Sequence, residues 1–291
     1  MEFLLNMVFF ILNKNRIIRG DFLKVEILNV IQCHKVAGKG VTNPCYVTLD
    51  NGTNVYIKYP NNPEGDLVLL NEWISASIGK LVNINIPNFG LCYLNKGVIS
   101  KIDFLKESNT GLCFYSEEVR DVFPLTTPGI FRKFITCGSE FIKLLLFDHI
   151  IYNKDRNRGN LLLTGYRNNK RIFVIDQSHV FKNETIWDRY TFLQGTESCD
   201  FLDKEILESN QGTYQFYSES VTINRVDLLE EVNLFKSALT KEAIRDIFKS
   251  IPEEFKLASA NLPELENYLN YRIEHINQIQ GIIYDYFRGC K

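Results

Sequence analysis

Two residues five positions apart, Asp155 and Asn160, lie in the polar run Asn153-Lys154-Asp155-Arg156-Asn157-Arg158-Gly159-Asn160. The run separates an apolar stretch, Phe141 to Tyr152, from a short hydrophobic one, Leu161 to Thr164. In such a turn an aspartate can face an acceptor hydroxyl. The carboxamide one loop turn on can then reach a divalent cation carried by a nucleotide, the Asp–Asn spacing of phosphoryl-transfer loops. Further on, Val174-Ile175-Asp176-Gln177-Ser178 puts a carboxylate at the end of an apolar strand, a second hard oxygen ligand for Mg²⁺. Each piece alone is weak, because a strand-end Asp commonly serves as a turn or helix cap. In this order, between these elements, the three residues point to chemistry.

The N-terminal half supplies a cation and its partner. Lys58 ends the strand-like Val55-Tyr56-Ile57-Lys58, and Glu72 follows inside a segment with apolar residues at helical spacing, Asp66 to Leu81. Read separately, Lys58 is an edge-strand solubiliser and Glu72 a solvated helix residue. Beside the Asp–Asn–Asp set they read as a phosphate-binding lysine and the carboxylate that holds it. The turn Gly38-Lys39-Gly40-Val41-Thr42-Asn43-Pro44 precedes them by one strand. Its small residues let backbone N–H groups and the Thr42 hydroxyl approach phosphates, although a Gly-containing hairpin turn is the ordinary reading.

The elements that must position these groups are segregated. Phe22 to Ile31, Cys45 to Leu49 and Asn54 to Tyr59 read as strands, with Asp50-Asn51-Gly52 as a hairpin turn. Two more strand-like runs, Gly97 to Phe104 and Leu112 to Tyr115, follow the predicted helix. From about Arg120 the pattern turns helical: Phe141 to Tyr152, Leu228 to Leu239, Lys241 to Ile251 and Leu262 to Phe287. A small hairpin, Leu161 to Thr164 with Ile172 to Ile175, interrupts them. Strand runs followed by helix runs predict an α+β fold.

Composition bounds the rest. The chain has 291 residues, 45% hydrophobic and 13% aromatic, enough for a packed core and against disorder. With 33 basic and 35 acidic residues the formal charge is −2, so nothing global draws it to nucleic acid or an anionic membrane. Cysteines 33, 45, 92, 113, 137, 199 and 290 are scattered without a C-x-x-C pair, which predicts reduced thiols in a cytoplasmic protein rather than a zinc site. Phe3 to Leu12 is apolar but too short to span a bilayer and lacks the features of a secretory signal. Residues 1–19 read as an extension or as sequence upstream of the true start, with Met7 a second candidate; no stable membrane insertion is expected.

The chain resembles the HipA-like kinases. The matching residues are Lys58, Asn71-Glu72, Asn153-Lys154-Asp155-Arg156-Asn157-Arg158-Gly159-Asn160 and Ile175-Asp176-Gln177-Ser178, in that order. Gly111 to Ser116 resembles the strand entering the hinge between lobes, and Leu262 to Ile279 the closing helices. The resemblance implies a bilobal protein-kinase-like fold, with a β-rich N-lobe (20–118) holding one main helix and a mostly helical C-lobe (119–291). It implies ATP and Mg²⁺ as cofactors and transfer of the γ-phosphate to a protein serine or threonine. On the same basis Asp155 is the candidate base, Asn160 and Asp176 the metal ligands, and Lys58, held by Glu72, the phosphate contact. Thr42, Asn43, Ser116 and Glu117 fall at nucleotide-contacting positions. Arg156 joins the catalytic set either as a loop anchor or as a contact to an acceptor phosphate, anchoring being favoured. Relatives of this type can be modified on the hydroxyl of the Thr42 loop, which makes Thr42 a candidate for self-phosphorylation. Gln177 stands where many relatives have His. The extra N-terminal subdomain of the longer toxins is not recognisable, which leaves a toxin role and an antitoxin partner open.

Three rival readings share these residues. The Asp155 loop and Ile175-Asp176 also resemble type II phosphatidylinositol 4-kinases, although the membrane-facing cysteines or basic surface of those enzymes are not evident. A pseudokinase interaction module would keep the fold, but such modules commonly lose at least one of Lys58, Asp155, Asn160 and Asp176. An aminoglycoside-type small-molecule kinase usually has a histidine before its catalytic Asp, where Lys154 stands.

Overall fold

The computed structural model describes residues 26–37, 43–99, 105–123, 129, 138–165, 170–219, 221–257 and 260–289. Thr42, most of the Gly38 to Pro44 turn and the Phe3 to Leu12 run lie outside them. The chain opens on strands β1 (Ile27–Val36), β2 (Cys45–Leu49) and β3 (Asn54–Lys58), then helix α1 (Leu67–Leu81). Strand β4 (Phe89–Leu94), the single-turn helix α2 (Lys96–Ile99) and strand β5 (Gly111–Glu117) follow. The five strands close into a barrel in the order β1-β2-β3-β5-β4. Neighbours are antiparallel except β1 and β4, whose parallel pairing of Ile27 with Leu91 and Asn29 with Tyr93 seals the ring. Closure removes both sheet edges. It also buries the alternate residues Val30, Cys45, Val47, Leu49, Val55, Ile57, Cys92 and Cys113 as one core.

Helix α3 (Gly138–Ile150) leads through the polar run to the hairpin β6 (Leu161–Thr164) and β7 (Arg171–Val174). Helices α4 (Arg189–Glu197), α5 (Glu205–Ser209), α6 (Gln211–Ser218), α7 (Arg225–Ala238), α8 (Lys241–Lys249), α9 (Leu262–Glu274) and α10 (Ile276–Gly289) complete the fold. A second core runs through them and takes in α1 together with Leu91, Leu112 and Phe114 of the barrel.

Helix α1 lies within this second core. Every residue from Leu67 to Gly79 is buried, including Asn71, Glu72, Ser75 and Ser77, as for a helix packed on all sides. Trp73 donates its indole N–H to Ser250 at 3.1 Å, and Asn71 accepts that of Trp187 at 2.9 Å. Close approach at its C-terminal end requires Gly79, since a Cβ there would collide with Ile86 and touch the Phe147 ring of α3. Glu72 is therefore not the solvated residue of the ordinary reading, and its burial demands a charged partner.

The α+β expectation holds, and the strands and helices around the polar run fall where their periodicity put them. Elsewhere the elements differ: β1 runs on to Val36, beyond the expected end at Ile31. The strand expected over Gly97 to Phe104 opens instead as α2, because Asn95 accepts the Val98 amide through both its carbonyl and its side chain and starts a helical turn; 100–104 lie outside the described residues. The strand that closes the barrel is β4, starting just beyond Pro87. The long run Leu262 to Phe287 is two helices, broken at His275. Among the described residues no helix is long and apolar enough to cross a membrane.

A buried histidine in α3 makes stability depend on pH. His149 is fully buried, its Nδ1 bonded to the Leu145 carbonyl at 2.8 Å, and its Nε2 has no partner. Burial, with the nearby Arg272 guanidinium, lowers its pKa from 6.5 to about 3 against the weaker opposing pull of the Leu145 bond. Between those values the unfolded chain binds a proton that the native chain does not, so stability falls with acidification below about pH 6.5 and levels off below about pH 3. Urea denaturation at pH 7 and pH 5 should show about 2 kcal/mol less loss on acidification in His149→Leu than in wild type. Equal losses in the two proteins would mean that His149 does not titrate on unfolding.

Candidate functional site

Strand β3 delivers Lys58 to the barrel's inner end, where its ammonium is almost fully buried. Three oxygens receive it. Glu72 of α1 is the first, Asp176 Oδ1 lies at 2.6 Å and Ser178 Oγ at 3.0 Å. Ser178 Oγ in turn donates to Asp176 Oδ1 at 2.5 Å, and the Gln177 amide donates to Glu72 Oε1 at 3.0 Å. Strand, helix and the segment after β7 thus share one charge cluster. Asn71, beside Glu72, ties α1 to the same segment by donating to the carbonyls of Ser178 at 2.6 Å and Glu184 at 3.0 Å.

Two carboxylates around one ammonium fix the charge states. Burial alone would lower the Lys58 pKa, but Glu72 and then Asp176 outweigh it and hold the lysine protonated well above its ordinary range. Burial would likewise raise Asp176, yet the ammonium and the Ser178 hydroxyl keep its carboxyl far below the usual range. Glu72 keeps a raised pKa because desolvation outweighs the lysine. Asp176 is in the left-handed region at φ +58°, a conformation Asp and Asn tolerate better than most side chains.

The polar run folds over this cluster from the other side. A 3-10 turn, Arg158–Asn160, leads into β6, and Asn160 Nδ2 donates back to the Asp155 carbonyl at 2.8 Å. That bond leaves Asn160 Oδ1 facing away without a hydrogen-bond donor among the described residues. Asn160 and the Asp176 strand end are in register, since the Ile175 amide donates to the Asn160 carbonyl at 3.0 Å. The Asp155 amide is taken by Asn153 Oδ1 at 2.8 Å, while its carboxylate is half exposed and meets Asn157 Nδ2 at 3.2 Å. Asp148 and Asn153 hydrogen-bond to each other at 3.1 Å, as expected of loop-internal polar residues.

Arg156 faces inward. Its guanidinium chelates Asp148 of α3, with Nη2 at 2.8 Å and Nε at 3.2 Å from the carboxylate, and Nη1 donates to the Ile175 carbonyl at 3.2 Å. Both side chains are wholly buried. The guanidinium is engaged with Asp148 and the backbone before Asp176, and its side chain has no accessible surface.

The structure therefore brings Lys58, Glu72, Asn160 and Asp176 together with Asp155 at the rim. The remaining candidates are elsewhere. Ser116 and Glu117 end β5, opposite Tyr56 and Val55 of β3; the Glu117 amide donates to Asn88 O at 2.7 Å and its carboxylate accepts from Asn88 at 2.9 Å. Asn43, at φ +44°, lines a cavity of about 450 Å³ with Tyr59, Asn61, Lys106 and Asn109, and none of the charged cluster reaches that cavity.

The donor set suits a hard divalent cation. Asn160 Oδ1 and Asp176 Oδ2 are oxygen ligands with no hydrogen-bond donor among the described residues, and two protein ligands leave the remaining positions to phosphate and water. Among the described residues no group of three or more His, Cys, Asp or Glu side chains forms a cage for a cation.

Sequence reasoning did not find Glu64, His179, Asn210 or Tyr214. His179 Nε2 stands 2.9 Å from Glu64 Oε2 and its Nδ1 4.0 Å from Asp155 Oδ2. Asn210 accepts the Arg156 amide at 2.7 Å and donates to Asn153 O at 2.7 Å, and Tyr214 donates to Asp148 Oδ2 at 2.9 Å. Lone polar residues in loops and at helix starts carry no periodicity that singles them out.

Comparison with curated proteins gives no match. Among solved structures the chain is similar to the Helicobacter pylori proinflammatory kinase CtkA, at 10% identity and a TM-score of 0.54, with 91% of this chain and 99% of that chain covered. Such identity speaks for the fold alone. Weaker likenesses, also at 10% identity, are to the Golgi casein kinase with Mn/ADP bound (TM-score 0.49; 94% and 77% covered) and to Shewanella oneidensis MR-1 HipA with HipB and operator DNA (TM-score 0.45; 93% and 69% covered). The model of HipA-like kinases matches residues 30–282, most of the length. With that match over the elements that carry the cluster, the chain belongs to the HipA-like kinase family.

Proposed function

We propose that the chain transfers the γ-phosphoryl group of ATP, with Mg²⁺, to a serine or threonine hydroxyl of a protein. The observation that carries this reading is the convergence of buried Lys58 and Glu72 with the partly exposed Asp176 in one charge cluster beside Asn160. A barrel lobe (20–118) would supply Lys58 and Glu72, and a helical lobe (119–291) the rest.

Lys58 is pre-set as a permanent cation, and Glu72 keeps it in place when phosphate oxygens compete for it. Asn160 Oδ1 and Asp176 Oδ2 would hold the metal. When bound, Mg²⁺ and the nucleotide supply the phosphoryl group and neutralise its charge. Asp155 at the rim orients the acceptor hydroxyl and receives its proton. Phosphoryl transfer depends mostly on positioning and charge neutralisation, so this sparse set is chemically sufficient.

The test is ³²P transfer from ATP with Mg²⁺ to a degenerate serine/threonine peptide library, with Asp155→Asn as control. Wild type should label peptides, and the variant should be slower by about 10²-fold or more, the scale of a positioned acid–base group. Equal labelling by both proteins would remove Asp155 from the chemistry. Incorporation into inositide vesicles in place of peptides would replace the acceptor class.

A further inference from the structure

The Asp155 carboxylate must point at an acceptor, yet little holds it. It is 46% exposed, and its one side-chain hydrogen bond is to Asn157, two residues along the same turn, at 3.2 Å. A half-exposed carboxylate on such a turn has several rotamers of similar energy, and a base must lie within hydrogen-bond reach of the proton it takes. Among the described residues, His179 is the charged or chargeable side chain recorded within 4.0 Å of its carboxylate. Its imidazole lies between two carboxylates, Nε2 at 2.9 Å from Glu64 Oε2 in a close contact without hydrogen-bond alignment, and Nδ1 at 4.0 Å from Asp155.

Both supports of this imidazole are fixed. The His179 backbone follows Ser178, whose carbonyl accepts from Asn71 and whose hydroxyl contacts Lys58. Glu64 lies in the turn entering α1, where Asn62 accepts the Glu64 amide through its side chain at 3.1 Å and the Gly65 amide through its carbonyl at 2.8 Å. The Glu64 side chain is largely buried, 15% exposed, which is costly for a carboxylate without a counter-charge or donor. The His179–Asp155 separation of 4.0 Å is too long for a hydrogen bond. Contacts of this kind tighten around the reactants.

We propose that His179 is a positioning residue for phosphoryl transfer: packed between Glu64 and Asp155, its imidazole confines the Asp155 carboxylate and couples the turn entering α1 to the loop that carries the base. This rests on the function proposed above.

Steady-state kinetics on the serine/threonine peptide library with Mg-ATP test the assignment, using His179→Ala, His179→Asn, Glu64→Gln and the Glu64→Gln/His179→Ala double variant. His179→Ala should lower kcat by about 10-fold or more with the KM for ATP within about twofold, the split expected of a group that aligns a catalytic residue without binding nucleotide. His179→Asn keeps a nitrogen near the Nδ1 position and should recover part of kcat. Glu64→Gln should give a smaller loss in the same direction. The double variant should be no slower than His179→Ala alone, because both changes break one chain of contacts. Glu64 is remote from the acceptor, so its variant serves even where His179→Ala folds poorly. An active wild type with unchanged kcat in folded His179→Ala, or additive losses in the double variant, overturns the inference alone. A wild type that labels no peptide removes the proposed function and this inference with it.

Discussion

Asp176→Asn should give a folded protein whose Mg²⁺-dependent ATP turnover is lower by about 10²- to 10³-fold, the cost of removing one pre-set electrostatic group from a water-poor site. Asn is the informative replacement. It keeps the side-chain shape, tolerates the left-handed backbone at φ +58°, and leaves Lys58 its contacts with Glu72 and Ser178. Alanine would add a backbone penalty of about 1–2 kcal/mol at that φ and confuse folding with chemistry. The native carboxylate stays ionised because Lys58 and Ser178 outweigh its burial, so no pH in the working range mimics the variant. Turnover against Mg²⁺ concentration, with the thermal midpoint measured alongside, is the check. Wild-type turnover with the same metal dependence would show that Asp176 is no ligand.

The parts of this site that were legible in the sequence are those whose geometry is local. Asp155 and Asn160 share one loop, and a five-residue offset across a 3-10 turn returns the Asn160 amide to the Asp155 carbonyl. Asp176 stands at the end of a strand whose partner begins just after Asn160, so hairpin register alone brings them together. Lys58 and Glu72 were readable because strand and helix periodicities each placed one of them. What stayed hidden depends on tertiary packing. His179 and Glu64 meet because α1 docks against the segment after β7 through Asn71, and neither residue lies in a periodic element. The barrel was obscured for a related reason. Its closure rests on a parallel β1–β4 pairing, a contact between distant segments, while the apolar content of Gly97 to Ile99 read as strand where the chain makes a helical turn. Leu262 to Phe287 keeps its apolar spacing across His275, so periodicity read two helices as one.

Arg156 is where anchoring and chemistry make opposite predictions. Its ion pair with Asp148 is wholly buried, and the carboxylate is completed by Tyr214 and Asn153. Removing one partner of such a pair leaves an uncompensated buried charge, which costs about 3–5 kcal/mol. Against a total stability of about 5–15 kcal/mol, that is a large fraction. Arg156→Met should therefore lower the urea-unfolding free energy by about 3–5 kcal/mol. Adding Asp148→Asn should recover part of the loss, since the carboxamide needs no counter-charge and still accepts from Tyr214. Single and double variants should thus be strongly non-additive. Activity separates the two roles. An anchor fails through the folded fraction, so Arg156→Met assayed well below its unfolding midpoint should lose far less turnover than Asp176→Asn. An arginine that touched the acceptor would do the reverse, cutting turnover in fully folded protein at little cost in stability. A loss of stability under about 1 kcal/mol would show that the pair does not hold the loop. The expected outcome follows from exposure: a guanidinium with no accessible surface, bonded to Asp148 and Ile175 O, is out of a substrate's reach.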